Sequence, residues 1–267
     1  IKDGMDPDLA QQEYYCLSPK TYVLKSDLTW AQLANIHEGD ELIGVDEHVS
    51  HEKTRKLRPS TVLLRQSTIK HCTQLTFSDG QQVTASVEHP WLIKQKPSKR
   101  FREQTYKWVE TQNLHLGMRV ADTGLRPWCS ETSFDSGWLS GIYDGEGCVS
   151  RRTVTVAQKP GAVLNKIKDL LTGRGFKFYL SKGSGVEQVW LSYFGAMRVL
   201  GSLRPLRLLQ HARSVWNGAM AVRSALTVVK IEDVGLQEVV SITTSTQTFI
   251  AEGLVTHNCS FDAPMQG

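Results

Sequence analysis

The hydrophobic period of this chain changes twice. From Cys16 to about Gly124, and again after residue 226, apolar residues come in short strand-like runs. Only between them does a helical stripe stand out, at Val163, Leu164, Ile167, Leu170 and Leu171, opened by Pro160 and closed by Gly173 and Gly175. A β-rich sequence split by an α+β middle has one simple architecture. The middle is a domain inserted into a surface loop of the other, since exposed loops tolerate insertion. The length of 267 residues accommodates both.

Strands are expected at 42–45, 72–77 and 82–85, the last two joined by the turn Ser78-Asp79-Gly80. A short helix is expected at 29–36 and an exposed basic loop at 94–106. The middle reads as helix 134–144, strand 153–157, the striped helix from Pro160, strands 176–181 and 186–193, and helices 195–203 and 206–220. This is an α+β order. Strands return at 227–234, 238–243 and 248–256, the last broken at Glu252-Gly253.

Charge follows the same division. Residues 133–225 carry 13 Lys and Arg against 5 Asp and Glu, while the remainder has 18 against 22. A basic segment within an acidic remainder points to a polyanionic partner for the middle. No run of 18 apolar residues predicts a membrane span. Residues 1–15 lack the apolar core of a signal peptide, and Ile1 is not an initiating Met, so the chain is expected to be a fragment of a longer one. The five cysteines (16, 72, 129, 148 and 259) are scattered, with no CxxC. They suit neither a disulfide framework nor a zinc site, and they point to a reducing cytoplasm and a nucleophilic role.

Three stretches carry acyl-transfer chemistry. Tyr15-Cys16 stands near the start, Ser86-Val87-Glu88-His89 follows a strand, and Thr256-His257-Asn258-Cys259 stands near the end. Together they resemble an intein, a self-excising protein-splicing element. That family begins with Cys or Ser, carries a [TS]-x-x-H motif, and ends in His-Asn before Cys, Ser or Thr. The resemblance implies a mainly β splicing domain of horseshoe-like Hint fold, in two parts at 16–125 and 226–258. It implies extein flanks at 1–15 and 259–267, and no cofactor for splicing.

The roles it implies are these. The Cys16 thiol attacks the Tyr15 carbonyl and converts an amide to a thioester. His89 hydrogen-bonds and protonates the departing amide nitrogen, and Ser86 polarises the Tyr15 carbonyl or orients that peptide. Cys259 takes over the acyl chain. Asn258 cyclises onto its own carbonyl, with His257 as general acid or oxyanion stabiliser. A final sulfur-to-nitrogen shift joins Tyr15 to Cys259. Two positions depart from the family pattern. Gln247 stands where a His eleven residues before the terminal Asn is usual, and Ser241 where an Asp or Cys is usual. Both replace a titratable group by a neutral one.

In the middle, Leu139-Ser-Gly-Ile-Tyr-Asp-Gly-Glu-Gly147 resembles the LAGLIDADG motif of homing endonucleases, and the α+β order matches that family's αββαββα repeat. Gly137, Gly141 and Gly145 form a bare stripe on one helix face, which permits close approach of a second helix. Glu146 falls at the helix C-terminus, where the helix dipole disfavours a carboxylate. The resemblance implies a domain at 133–222 in which Glu146 holds Mg²⁺ for phosphodiester cleavage. Asp144 is expected to be structural, a cap in the helix packing. Arg151, Arg152, Gln158, Lys159, Lys177 and Lys182 are the expected contacts to double-stranded DNA. Only one such motif is present, so the domain either forms a homodimer through the glycine stripe or has lost cleavage.

Joined, the flanks read Gln-Glu-Tyr-Tyr-Cys-Ser-Phe-Asp and resemble a segment of a phage terminase large subunit, which implies the cytoplasm of a bacterial or phage-infected cell. Three other readings fit parts of the sequence. They are a DNA-binding module that has lost splicing, an autoprocessing domain that cleaves without ligation, and a free-standing endonuclease. His257-Asn258-Cys259 argues against the second, and the third leaves Cys16 unexplained.

Overall fold

The structure, a computed structural model, describes residues 16–48, 55–95, 105–218, 222 and 224–258. Among the described residues, the regular structure of the first part is all strand apart from two single 3₁₀ turns. It comprises β1 (Tyr22–Leu24), β2 (Trp30–Gln32), β3 (Glu41–Val45), β4 (Leu57–Phe77), β5 (Gln82–Ser86), β6 (Pro90–Lys94), β7 (Tyr106–Glu110) and β8 (Arg119–Asp122). The middle follows as α1 (Phe134–Glu146), β9 (Gly147–Ser150), β10 (Thr153–Gln158), α2 (Ala162–Gly173), β11 (Tyr179–Lys182), β12 (Glu187–Ser192), α3 (Phe194–Leu203), α4 (Leu206–Leu209) and α5 (Ala212–Trp216). The chain then closes with β13 (Ser224–Thr244), β14 (Thr248–Ala251) and β15 (Leu254–His257).

Strands from both ends make one 11-stranded sheet, ordered β2-β1-β14-β15-β6-β8-β13-β4-β3, with β5 on β4 and β7 on β6. The middle makes its own four-stranded sheet, β11-β12-β10-β9. So β13, β14 and β15 cross the whole middle segment to pair with β4, β1 and β6.

The long ribbon of β4 and β13 organises the first sheet. Its two ends are buried, at Leu57 and Val62 and at Leu75 and Phe77. Its middle stands clear, with Leu63, Ile69 and Leu236 exposed. The runs 227–234 and 238–243 are therefore not two strands but one, carried through an irregularity at Gly235 (φ +69°). A left-handed glycine lets the ladder absorb an extra residue without ending. The turn after β4 forms as expected. Gly80 is left-handed (φ +88°), and Asp79 Oδ1 accepts the Gln81 N–H at 3.1 Å.

Several elements differ from expectation, each for a local reason. Residues 29–36 are not a helix. Trp30–Gln32 pairs with β1, so ladder hydrogen bonds take the backbone, and a single 3₁₀ turn at Leu33–Asn35 follows. The strand expected at 176–181 starts only at Tyr179. Before it, the Phe176 N–H reaches back to Leu171 O and Gly175 N–H to Thr172 O, closing α2 in a Schellman turn. The helix expected at 206–220 is two short helices broken by a turn at Gln210-His211. Strand β9 was not anticipated, because Gly147 hides its β character. Val163 is 43% exposed, so the buried stripe of α2 is Leu164, Ile167 and Leu171. In the region 94–106, Lys94 and Tyr106 are paired strand residues, and 96–104 lie outside the described residues.

Helix α3 is largely apolar and buried, with Arg198 its one exposed charge. It lies between the two sheets. Gly201 sits against Leu28 O and the Trp128 indole, where a Cβ would collide with both. Trp128 Nε1 donates to Leu28 O at 3.1 Å and its ring stands edge-on to Trp30. One hydrophobic cluster accordingly runs from Leu24, Leu28, Ile43 and Leu92 of the first sheet through α3 to Val154, Val189 and Leu191 of the second.

Candidate active site

The first half of the site is a closed stitch of backbone bonds around Cys16. Leu17 exchanges both hydrogen bonds with Val240 of β13 (3.1 and 2.8 Å) and also bridges Ala85 of β5. Carried one residue further, this register sets Cys16 opposite Ser241, which is buried. The Cys16 N–H donates to Ser86 Oγ (3.3 Å) and the Ser86 N–H donates to Cys16 O (3.0 Å). Ser86 therefore grips the amide that links Cys16 to Tyr15, through its nitrogen.

The Ser86-x-x-His89 spacing is one turn, closed by His89 N–H to Ser86 O at 3.1 Å. Thr111 then fixes His89. Its N–H (2.9 Å) and Oγ1 (3.0 Å) both donate to His89 O, while Trp91 Nε1 donates to Thr111 Oγ1 (2.9 Å). The buried imidazole lies edge-on to the Trp91 ring, 4.8 Å between centroids. Cys72 packs with Cys16 and Val239. Burial, with the nearby Glu88 carboxylate, pushes the Cys72 thiol from its usual 9.0 up to about 11. Cys72 is thus held as a neutral thiol beside the candidate nucleophile.

The second half surrounds Asn258, fully buried after the β14–β15 hairpin. Its backbone N–H donates to Gln247 O (3.0 Å) and its side-chain Nδ2 to Gln247 Oε1 (3.2 Å). Gln247 adopts a left-handed conformation (φ +61°) in the turn between β13 and β14, which turns its side chain and carbonyl toward Asn258. His257 Nδ1 lies 2.7 Å from Asn258 O, the oxygen that would become negative if Nδ2 attacked that carbonyl. Its Nε2 lies 3.1 Å from Glu47 Oε1, and its ring stands edge-on to Trp108 at 4.8 Å.

The two halves meet because β6 pairs with β15, Trp91 opposite Thr256. Two residues outward in an antiparallel pair, His89 falls opposite Asn258. Cys16, Ser86, His89, His257 and Asn258 thus gather at one end of one sheet, with Gln247 and Ser241 beside them. Tyr15 and Cys259 lie outside the described residues, as do both flanks. Sequence reasoning missed Glu47, Thr111 and Trp108. No motif marks them, and Glu47 is 210 positions from its histidine.

No family model matches the sequence, and no curated protein does. Among the solved structures it resembles are inteins. The gp41-1 intein is 14% identical over 91% of this chain and 98% of that one, with a TM-score of 0.39. A DnaB intein from Synechocystis sp. PCC 6803 is 11% identical over 91% and 98%, with a TM-score of 0.45. The MchDnaB-1 intein is 13% identical over 91% and 99%, with a TM-score of 0.39.

The middle segment presents a second set of candidate residues. Its helices cover one face of the small sheet. The other face is open and polar, with Tyr179 and Trp190 stacked on it at 4.5 Å. The register divides the expected contacts between two ends of this sheet. Gly147 pairs with Val156 and Gln158 with Glu187 opposite Lys182, so Glu146, Gln158, Lys159 and Lys182 share one end. Arg151 and Arg152 form the β9–β10 turn at the other end, with Lys177 near Gly195 on the same side.

Glu146 is exposed at the last turn of α1, as its position predicted. Arg207 donates to Tyr143 O and Gly147 O, and so supplies the positive charge that the helix end needs. Asp144 is a cap for α4, accepting the Leu206 and Arg207 N–H groups at 2.8 and 2.9 Å. This leaves Glu146 as the one free carboxylate of the motif. Among the described residues no three His, Cys, Asp or Glu gather to hold a metal. A single exposed carboxylate does not fit a resident Mg²⁺, which takes hard oxygen ligands in an octahedral set. The Gly137, Gly141 and Gly145 positions face open space, with nothing within 4 Å of a Cβ built there.

Proposed function

We propose that this chain splices itself out of a host protein. The observation that carries the reading is the convergence of its two ends. The amide of Cys16 is held by Ser86, and Asn258 is held with its nucleophilic nitrogen on Gln247 and its own carbonyl oxygen on His257.

In this reading the Cys16 thiolate adds to the Tyr15 carbonyl carbon. The C–N bond breaks and the freed amine takes a proton, for which buried His89 is the candidate donor. The Cys259 sulfur displaces Cys16 from the thioester, and the Cys16 thiol is released. Asn258 Nδ2 then attacks the Asn258 carbonyl carbon and loses a proton. The bond to Cys259 breaks, and the Cys259 nitrogen gains a proton. That free amine attacks the thioester, and a peptide joins Tyr15 to Cys259. His257 Nδ1–H stabilises the negative charge on Asn258 O during cyclisation. Gln247 orients the carboxamide through a neutral acceptor in place of the usual histidine.

Intact-mass spectra recorded over time on the chain carried within longer flanks test this. The expected products are the joined flanks and a Cys16–Asn258 fragment one water lighter than its free acid, as a terminal succinimide requires. An uncut precursor would overturn the reading. Cleavage at Tyr15–Cys16 alone would favour autoprocessing without ligation.

A second activity is favoured by the open sheet face and the +8 charge of residues 133–225. We infer that the middle segment binds double-stranded DNA, as a LAGLIDADG-like unit would, through Arg151, Arg152, Gln158, Lys159, Lys177 and Lys182. Cleavage would require two copies to bring their Glu146 carboxylates together along the α1 glycine stripe. Duplex binding should weaken steeply with added salt. Binding that ignores salt, or no binding, would remove this reading. The flanks are proposed to belong to a terminase large subunit, which places the reaction in a bacterial or phage-infected cytoplasm.

A further inference from the structure

The geometry points to Glu47 as the positioning residue for Asn258 cyclisation, a role that rests on the splicing reading. Glu47 follows β3 and is far in sequence from both ends of the site. Its Oε1 lies 3.1 Å from His257 Nε2. The other ring nitrogen, Nδ1, lies 2.7 Å from Asn258 O, which can only accept. Nδ1 therefore carries a proton. Two arrangements then satisfy Nε2. Either it donates to an ionised Glu47, or a protonated Glu47 donates to it. In both, the Glu47–His257 pair holds a proton beyond the one on Nδ1, and the Nδ1–H stays aimed at the oxygen on which charge develops.

A neutral imidazole has a single N–H to share between Asn258 O and residue 47, and can leave Nδ1 with a lone pair against a carbonyl oxygen. The Glu47 carboxyl supplies either the countercharge for a ring protonated on both nitrogens or the proton that satisfies Nε2, and so keeps Nδ1–H on Asn258 O, while Trp108 holds the ring plane.

The surroundings keep Glu47 in place. Arg55 donates through Nε (3.3 Å) and Nη2 (3.1 Å) to the Glu47 backbone oxygen, and its guanidinium lies over the Tyr106 ring. His48 Nε2 is 3.7 Å from the same Glu47 Oε1. The neighbouring Asp46 is engaged by Arg58 at 2.7 Å. Burial lowers the Arg55 pKa, opposed by Tyr106, Asp46 and Glu47.

The test uses the full chain and its Glu47→Gln variant, which keeps the shape but removes the charge, with Glu47→Asp as the conservative rescue. Two rates are followed across pH, release of the segment after Asn258 and thiol-induced cleavage at Tyr15–Cys16. E47Q is expected to slow the first relative to the second by about tenfold or more, with the loss growing as pH rises. E47D should recover part of it. In parallel, ring ¹⁵N shifts of His257 are read in an Asn258→Ala background that cannot cleave. The wild-type ring should show a protonated Nδ1 with Nε2 hydrogen-bonded to Glu47, and E47Q should shift it toward a mixture of neutral tautomers. The inference is overturned if E47Q matches the wild type at every pH, or if both junctions slow equally, as a merely structural role would give. If the wild type cuts at neither junction, splicing itself fails. The ¹⁵N spectra still decide whether Glu47 governs the ring, and identical spectra would sink that too.

Discussion

Two neutral side chains stand where the intein resemblance leads one to expect titratable ones, and their consequences differ. Ser241 lies opposite Cys16 with its side chain buried. Gln247 accepts two hydrogen bonds from Asn258, one at its backbone oxygen and one at its side chain. Gln247→Ala removes the side-chain acceptor and keeps the backbone bond. Release after Asn258 should then slow about ten- to hundredfold, read as the rate of succinimide formation, because the carboxamide loses its orientation toward the carbonyl. An unchanged rate would mean that the 3.2 Å bond does not position Nδ2. Cys72 offers a test by pH. Its thiol is pushed up to about 11 by burial first and Glu88 second. The folded chain therefore keeps its proton while the unfolded chain loses it. Its stabilising contribution is complete below pH 9.0 and is lost as pH rises toward about 11. Denaturant melts of wild type and Cys72→Ala should differ in slope across that window and run parallel below it. Native thiol labelling near neutrality should reach exposed Cys129 and Cys148 and spare Cys72.

At the scale of elements, helix α1 shows how a short sequence signal becomes a stable segment. Ser133 caps it by accepting the Ser136 N–H at 3.2 Å, and Arg174 ties the cap to Glu131 with a 2.7 Å ion pair. The Arg174 contact and the Ser136 hydroxyl hold the Glu131 pKa below its usual value, against a desolvation that would raise it. Ser133→Ala should lower stability by about 1 kcal/mol, seen as a fall in Tm, because an N-terminal N–H loses its acceptor. The β4–β13 ribbon is the opposite case. Its middle has little core to bury, so its register depends on its buried ends and on Gly235, and not on the exposed Ile69 and Leu236.

Across the whole molecule, the insert is docked as well as connected. The Leu28–Trp128–α3 contact, the pairing of Arg204 with Asp27 and that of Arg213 with Glu41 all cross between the two sheets. With one hydrophobic cluster shared by both, thermal unfolding should be a single transition in calorimetry. Gly201→Ala places a Cβ against Leu28 O and the Trp128 ring and should destabilise by about 1–3 kcal/mol, through overpacking. Two well-separated transitions in the wild type would show instead that the sheets fold independently. No helix among the described residues is long and apolar enough to cross a membrane.

The bracketing of an α+β middle by strands, the hairpin at Ser78-Asp79-Gly80, the start of α1, the end of α2 and the capping role of Asp144 were legible in the sequence. Each is encoded locally, by period, turn residue or cap. The spacings of Ser86 to His89 and of His257 to Asn258 were legible for the same reason, since one turn or one peptide bond joins each pair. Tertiary structure alone decided the rest. The fate of residues 29–36 depended on β1, a partner that could outcompete a weak helical preference. The placing of His89 opposite Asn258 depended on the register of β6 against β15. Glu47 reached His257 only because the end of β3 packs on the start of β14, where Val45 and Thr248 exchange hydrogen bonds. Hydrogen bonds between distant residues leave no periodic mark on the sequence, and it is these bonds that aim the chemical groups.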